Sequence, residues 1–180
     1  LVADGKVSQA RIDDAVRRIL RVKFQMGLFE NPWTDPSLTA AIGSPEHRQV
    51  ARDCVRESLV LLKNSNHTLP LAKNIKHLAV VGKAADDLGI QCGGWTIDWQ
   101  GEPGNVTPGG TTLLAAIKKT VGPDTEVNFS PDGGDLKNPD AVIVVVGELP
   151  YAEMKGDRQD LHLAAEDQAL IAKAKQSGVP

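Results

Sequence analysis

Cysteine is scarce in this sequence of 180 residues, and histidine is sparse as well. Cys54 and Cys92 are too few for a disulfide framework and lack the paired spacing of a zinc site. Cys54 falls on the apolar side of a predicted helix, which favours a buried thiol. The four histidines are scattered without metal-ligand spacing. We therefore expect neither a metal nor a cofactor.

Long apolar runs, basic stripes and phosphate-binding motifs are also absent. No run approaches the roughly 20 apolar residues that span a bilayer, and the net charge of −3 argues against a nucleic-acid surface. Val81-Gly82-Lys83 follows a predicted strand, but neither GxGxxG nor GxxxxGK[ST] occurs, and no GxSxG elbow is present. We therefore expect no nucleic-acid or membrane partner, and a nucleotide-binding domain is disfavoured.

Strand and helix patterns alternate along the chain. Apolar, β-branched runs predict buried strands at residues 77–81 and 142–146, with shorter strands at 59–62 and 126–129. Capping residues and apolar periodicity predict four main helices, at residues 8–25, 44–58, 112–121 and 164–176. This alternation predicts an α/β fold with a mainly parallel sheet, in a three-layer α/β/α sandwich.

Residues 84–110 form a long, glycine-rich segment without regular periodicity. A segment of this kind inside a compact domain is usually functional or disordered. Trp95 and Trp99 favour an ordered loop, because disordered segments are poor in aromatic residues. The two rings could form walls that stack on sugar rings, with Asp98 and Gln100 binding hydroxyl groups. A buried core pair is the alternative interpretation of the tryptophans.

Two glutamates follow the predicted strand at residues 142–146. Glu148 comes directly after the strand and its terminal glycine, and Glu153 lies further along the same loop. Ligands of open α/β sheets bind outside the carboxyl ends of the strands, and paired carboxylates can divide acid and base roles. The alternative is that one glutamate caps a backbone amide while the other is solvated. The residue pattern alone leaves both interpretations open.

Four stretches of the sequence resemble the family 3 glycoside hydrolases, especially their β-glucosidases and exo-acting β-glucan glucohydrolases. In chain order they are AVRRILRVKFQMGLFENP, ARDCVRESLVLLKNSNHTLPL, GIQCGGWTIDWQG and VVVGELPYAEMKGD. The resemblance implies a (β/α)₈ barrel followed by an α/β sandwich, with the active site between them. It implies that residues 1–27 end the barrel domain, 28–43 form the interdomain linker, and 44–180 belong to a sandwich domain that is incomplete at its C-terminus.

The resemblance also implies roles for individual residues. The pattern PYxExKGD aligns the family's general acid/base with Glu153 and not with Glu148. The pattern GGWTxxW implies that Trp95 and Trp99 line the aglycone side of the pocket. Lys155 and Asp157 match the family pattern and are assigned a supporting role. The catalytic nucleophile would be an aspartate of the barrel, which precedes the first residue of this sequence.

The implied reaction removes terminal, non-reducing β-D-glucose with retention from a β-glucan, a cello-oligosaccharide or a β-glucoside. The missing barrel domain would be the structural partner, and the chain alone should be inactive. A secreted or periplasmic location is expected from the substrate class. Two alternatives stay open: a β-xylosidase of the same family, or a non-catalytic carbohydrate-binding or structural α/β module.

Overall fold

The computed structural model describes residues 1–180, which fall into two compact units, Leu1–Leu62 and Lys63–Pro180. The domain boundaries expected after residues 27 and 43 concern the organisation of the family and stay predictions. No helix combines the length and the apolar character that a membrane span would require.

The first unit contains two α-helices with the predicted N-caps. Helix α1 (Gln9–Gln25) begins after Ser8, whose Oγ accepts a hydrogen bond from the Arg11 backbone N–H. Helix α2 (Pro45–Ser58) begins after Ser44, which accepts from the backbone N–H of His47 in the same way. A 3₁₀ turn, Pro36–Ala41, lies between the helices. Side-chain caps of this kind each stabilise a helix by about 1 kcal/mol.

The apolar faces of α1 and α2 are exposed within this chain. Neither helix buries a residue, and Phe24 of α1 is 62% exposed. The expectation of a buried thiol at Cys54 is wrong here, since that side chain is also exposed. The short strand predicted at residues 59–62 does not form, because a strand needs a neighbouring strand for its backbone hydrogen bonds.

A three-stranded parallel sheet organises the second unit. Strands β1 (His77–Val81), β2 (Glu126–Ser130) and β3 (Ala141–Val144) are arranged in the order β2-β1-β3. In this register Leu78 of β1 lies beside Val127 of β2 and Ala141 of β3. The prediction of a mainly parallel α/β sheet is therefore confirmed. Strand β3 ends earlier than residue 146, although the Val145 N–H still donates to the Val81 carbonyl at 2.8 Å.

Helices pack on both faces of the sheet, because successive side chains of a strand point to opposite sides. Leu78 and Val80 of β1 join Leu114 of helix α4 (Leu113–Thr120) in one apolar cluster. Val81 joins Leu170 of helix α5 (Ala165–Lys175) in the other. Val80 and Val81 have no exposed surface, and burying a valine side chain stabilises a fold by about 1.5–3 kcal/mol. The central strand thus holds the α/β/α layers together.

Candidate active site

The topology brings two long loops to one edge of the sheet. The connection after β1 leads through the short helix α3 (Leu88–Cys92) to α4, on one face of the sheet. The connection after β3 leads to α5, on the opposite face. Because β1 and β3 are neighbours, their connections diverge and leave a crevice at the carboxyl ends of these strands. Ligands of open α/β sheets bind in such crevices.

The loop after β1 is folded, as its tryptophans predict. The Asp87 carboxylate accepts hydrogen bonds from the backbone N–H groups of Ile90 and Gly104, each at 2.8 Å. Gly89 N–H donates to the Gly104 carbonyl at 2.8 Å. These bonds join the two sides of the loop and leave the segment between them, which contains both tryptophans, as its tip.

Trp95 and Trp99 form a tilted pair at this tip. The Trp95 N–H donates to the Trp99 carbonyl at 3.0 Å, and the ring centroids lie 6.3 Å apart with their planes inclined by 54°. Trp95 is 69% exposed and Trp99 43% exposed, so the two rings are not a core pair within this chain. The pair therefore offers two accessible aromatic faces that are inclined to each other.

The carboxylate group of Glu148 binds other side chains of its own loop. The Tyr151 hydroxyl donates to Glu148 Oε2 at 2.7 Å, and Glu148 Oε1 forms an ion pair with Arg158. Both carboxylate oxygens therefore bind side chains that lie further along the loop. This arrangement closes the base of the loop around Glu153.

Glu153 occupies an unusual backbone conformation at the far end of the same loop. Its φ is +51°, and it begins the 3₁₀ turn Glu153–Gly156 directly after the buried Ala152. A left-handed residue with a side chain costs about 1–2 kcal/mol, and such strain is concentrated at functional sites. Trp95 and Ile97 in the facing loop also have positive φ, +60° and +64°. No residue pattern in the sequence indicates these conformations.

The two loops are joined through Gln100. Its Nε2 donates to the Ala152 carbonyl at 3.1 Å, and its Oε1 accepts from the Ala152 N–H at 3.1 Å. The carboxamide of Gln100 is thus engaged by the backbone in this structure, and the expectation that Gln100 binds substrate hydroxyls stays a prediction. Gly94 packs against the Tyr151 carbonyl, with no space for a Cβ atom. These contacts hold the loop that carries the tryptophan pair against the loop that carries Glu153.

Lys155 and Asp157 lie in or beside the 3₁₀ turn that Glu153 begins, and both are exposed. The turn is closed by a hydrogen bond from the Asp157 N–H to the Met154 carbonyl at 3.2 Å. The supporting role of Lys155 and Asp157 stays a prediction. No group of three or more histidine, cysteine, aspartate or glutamate side chains is arranged to hold a metal ion.

An exposed carboxyl group and a pair of accessible tryptophan rings, carried by two loops that are joined to each other, are typical of carbohydrate-active proteins, and the comparisons agree with this class. The model of the glycosyl hydrolase family 3 C-terminal domain matches residues 59–180, more than half of the chain. The chain belongs to glycosyl hydrolase family 3.

Curated relatives match the chain along nearly its whole length. A lysosomal β-glucosidase of Dictyostelium discoideum is 34% identical over 201 residues and covers 100% of this chain. A periplasmic β-glucosidase of Salmonella typhimurium is 37% identical over 222 residues, also with 100% coverage. A β-xylosidase of Formosa agariphila is 33% identical over 186 residues and covers 94%. The chain spans only 24%, 28% and 25% of these three proteins.

A solved structure has the same fold. The exo-1,3/1,4-β-glucanase of a Pseudoalteromonas species superposes with a TM-score of 0.88 at 35% sequence identity, covering 99% of this chain and 24% of that one. The similarity extends across both compact units, since almost every residue is matched.

Proposed function

We propose that this chain is part of a retaining, exo-acting β-glucosidase or β-D-glucan glucohydrolase that releases terminal, non-reducing β-D-glucose. The observation that carries the proposal is the joining of the Trp95–Trp99 pair to the Glu153 turn through Gln100. The names of two relatives as β-glucosidases and of the solved structure as a β-glucanase support it. The chain covers about a quarter of those proteins, and in this proposal the remaining parts of the site belong to a barrel domain outside this sequence.

In the proposed reaction Glu153 is the general acid and then the general base. In the first step an aspartate of the barrel attacks the anomeric carbon, the bond to the leaving oxygen breaks, and Glu153 donates its proton to that oxygen. In the second step water attacks the anomeric carbon, Glu153 accepts a proton of the water, and the bond between that carbon and the aspartate breaks. Retention of this kind requires carboxyl groups about 5–5.5 Å apart. The exposed position of Glu153 suits a residue that meets its partner across a domain interface.

Glu148 does not fit the role of the acid, because Tyr151 and Arg158 already occupy its two oxygens. Trp95 and Trp99 would form walls of the aglycone subsite, where the C–H edges of a sugar ring can stack on their faces. Lys155 and Asp157 would support the turn. The β-glucan, cello-oligosaccharide or β-glucoside substrate therefore meets this chain mainly on its leaving-group side.

A β-xylosidase of the same family is the second candidate, supported by the name of the Formosa agariphila relative. The two activities differ at the sugar that is released, and much of the pocket for that sugar would lie in the barrel. The location proposed for the complete protein is secreted or periplasmic. This agrees with the periplasmic relative, and the lysosomal relative likewise works outside the cytosol.

The test uses the polypeptide extended to include the barrel domain. Wild type, Glu153→Ala and Glu148→Ala are compared on two β-glucosides, one with a good leaving group and one with a poor one. Glu153→Ala should lose about 10²–10⁴-fold in rate on the poor substrate, the range typical of general acid catalysis. It should lose much less on the good substrate in the presence of azide, which replaces the activated water.

Two results would contradict the proposal. Full rates for Glu153→Ala on both substrates would reject the acid/base assignment, and a selective loss in Glu148→Ala would transfer the role to that residue. A loss of sugar affinity in Trp95→Ala, without any rate defect in Glu153→Ala, would favour a non-catalytic carbohydrate-binding module.

A further inference from the structure

Gln100 makes a pair of hydrogen bonds that its place in the sequence does not predict. Its carboxamide binds the N–H and the carbonyl of Ala152 at the same time, each at 3.1 Å, across 52 residues of sequence. An amide side chain carries an oxygen that accepts and an NH₂ group that donates, and this pairing uses one bond from each of them. Both groups of the Ala152 backbone are thereby bound by one side chain.

Ala152 is the residue on which the direction of Glu153 depends. It is only 5% exposed and has extended backbone angles, whereas Glu153 next to it is exposed and left-handed. The chain direction therefore changes sharply between these two residues. A rotation of the peptide groups at Ala152 would change the direction of the Glu153 side chain. The paired hydrogen bonds from Gln100 oppose that rotation.

The same residue is attached to the aromatic wall. Gln100 follows Trp99 directly in sequence, and its own N–H donates to Asp98 Oδ2 at 3.2 Å. Gln100 is partly buried, so its bonds to Ala152 are shielded from competing water. A displacement of the tryptophan tip would therefore be transmitted to the Glu153 turn.

We infer that Gln100 is a positioning residue for Glu153: it fixes the Ala152 backbone and so sets both the direction of the Glu153 carboxyl group and its distance from the tryptophan pair. This inference rests on the proposed function, since it assigns Gln100 to the delivery of the proton from Glu153. Gln100 touches neither the proton nor the leaving oxygen.

The chain offers a matched control for this role. Gln91 in α3 makes the same kind of pair: its Nε2 donates to the Thr111 carbonyl at 3.2 Å, and its Oε1 accepts from the Leu113 N–H at 3.0 Å. Gln91 fixes the start of α4 and not the Glu153 loop. Removing its carboxamide breaks hydrogen bonds of the same type, at a more exposed position, and leaves the proposed acid in place.

The experiment compares Gln100→Met, Gln91→Met and Glu153→Ala in the barrel-containing polypeptide, using the same poor and good β-glucoside substrates. Methionine keeps the length of the side chain and cannot form the paired hydrogen bonds. Rates are divided by the concentration of active sites, counted by trapping with a 2-deoxy-2-fluoro-β-glucoside, so that unfolded enzyme does not contribute. Gln100→Ala is measured in parallel, so that the conclusion does not depend on one replacement.

Gln100→Met should lose about 10–100-fold in kcat on the poor substrate, because a displacement of about 1 Å in a catalytic group costs up to that much. On the good substrate, which needs little protonation, the loss should stay below about threefold. Gln91→Met should change both rates by the same small factor. Equal losses on the two substrates in both Gln100 variants, or the Gln100 pattern in Gln91→Met, would overturn the inference.

The Glu153→Ala variant distinguishes a failure of the positioning role of Gln100 from a failure of the proposed function. If Glu153→Ala shows the selective loss and neither Gln100→Met nor Gln100→Ala does, the positioning role is wrong while the proposed function stands. If Glu153→Ala shows no selective loss, the proposed function itself fails.

Discussion

The Tyr151 hydroxyl lies 2.7 Å from Glu148 Oε2 and donates a hydrogen bond to it, while the other oxygen of Glu148 pairs with Arg158. Three side chains of one loop are therefore tied together at its base. The result separates two glutamates that the sequence places only five positions apart: Glu148 holds the loop, and Glu153 is presented by it. The ion pair and the hydrogen bond can be tested without substrate.

Breaking the pair between Glu148 and Arg158 should have a small but measurable effect on stability. The side chains are 41% and 44% exposed, respectively, so solvent screens much of their attraction, and we expect a coupling free energy of about 0.5–1 kcal/mol. A double-mutant cycle with Glu148→Gln and Arg158→Met, measured by urea denaturation, gives this value. Additive effects of the two substitutions would contradict the pairing.

Two adjacent glycines should respond differently to alanine. At Gly94 a Cβ atom would collide with the Tyr151 carbonyl, whereas at Gly93 there is open space but φ is +74°. Its ψ of −163° places Gly93 in a region that is essentially restricted to glycine, so Gly93→Ala should cost about 1–3 kcal/mol of backbone strain. Gly94→Ala should separate the tryptophan tip from the Glu153 loop at a cost of about 1–3 kcal/mol.

Hydrogen exchange distinguishes the two alanine variants more clearly than total stability does. In Gly94→Ala the Ala152 amide, which donates to Gln100, should exchange faster than in wild type. In Gly93→Ala it should keep its protection. Unchanged protection in both variants would show that the Gly94 contact does not hold the two loops together.

The tryptophan pair should determine the affinity for the leaving-group side of the substrate. In the barrel-containing enzyme, Trp95→Ala and Trp99→Ala should each raise KM for a cello-oligosaccharide about tenfold, which corresponds to about 1.4 kcal/mol. Trp33 in the first unit is 82% exposed and lies in the proposed linker, so Trp33→Ala is the control. Equal KM values in all variants would show that the two tryptophans do not bind the substrate.

The fold was largely predictable because its signals are local. The apolar run 77–81 and the helix caps at Ser8 and Ser44 depend on neighbouring residues, and all appear in the structure. The strand expected at 59–62 failed for the opposite reason, since pairing requires a distant segment. The burial expected for Cys54 on α2 failed likewise, because an apolar stripe indicates a packing face but not what covers it.

The candidate site was predictable only as a set of residue types. Family resemblance picked out Glu153, Trp95 and Trp99, yet their roles stay predictions. The contacts that assemble the site were not predictable. Gln100 reaches Ala152 over 52 residues, and Glu148 is distinguished from Glu153 only by where Tyr151 and Arg158 fold back. These contacts are set by the tertiary structure, and the spacing of residues along the sequence does not indicate them.

The left-handed backbone of Glu153 implies an antagonism between stability and activity at this one position. Asparagine adopts positive φ more easily than most other residues, so Glu153→Asn should raise the melting temperature slightly while abolishing proton donation. Under selection for stability alone, Glu153 would be among the first residues to be replaced. If glutamate persists there through laboratory evolution for activity and is lost through evolution for heat resistance, the strained turn is maintained by what it catalyses.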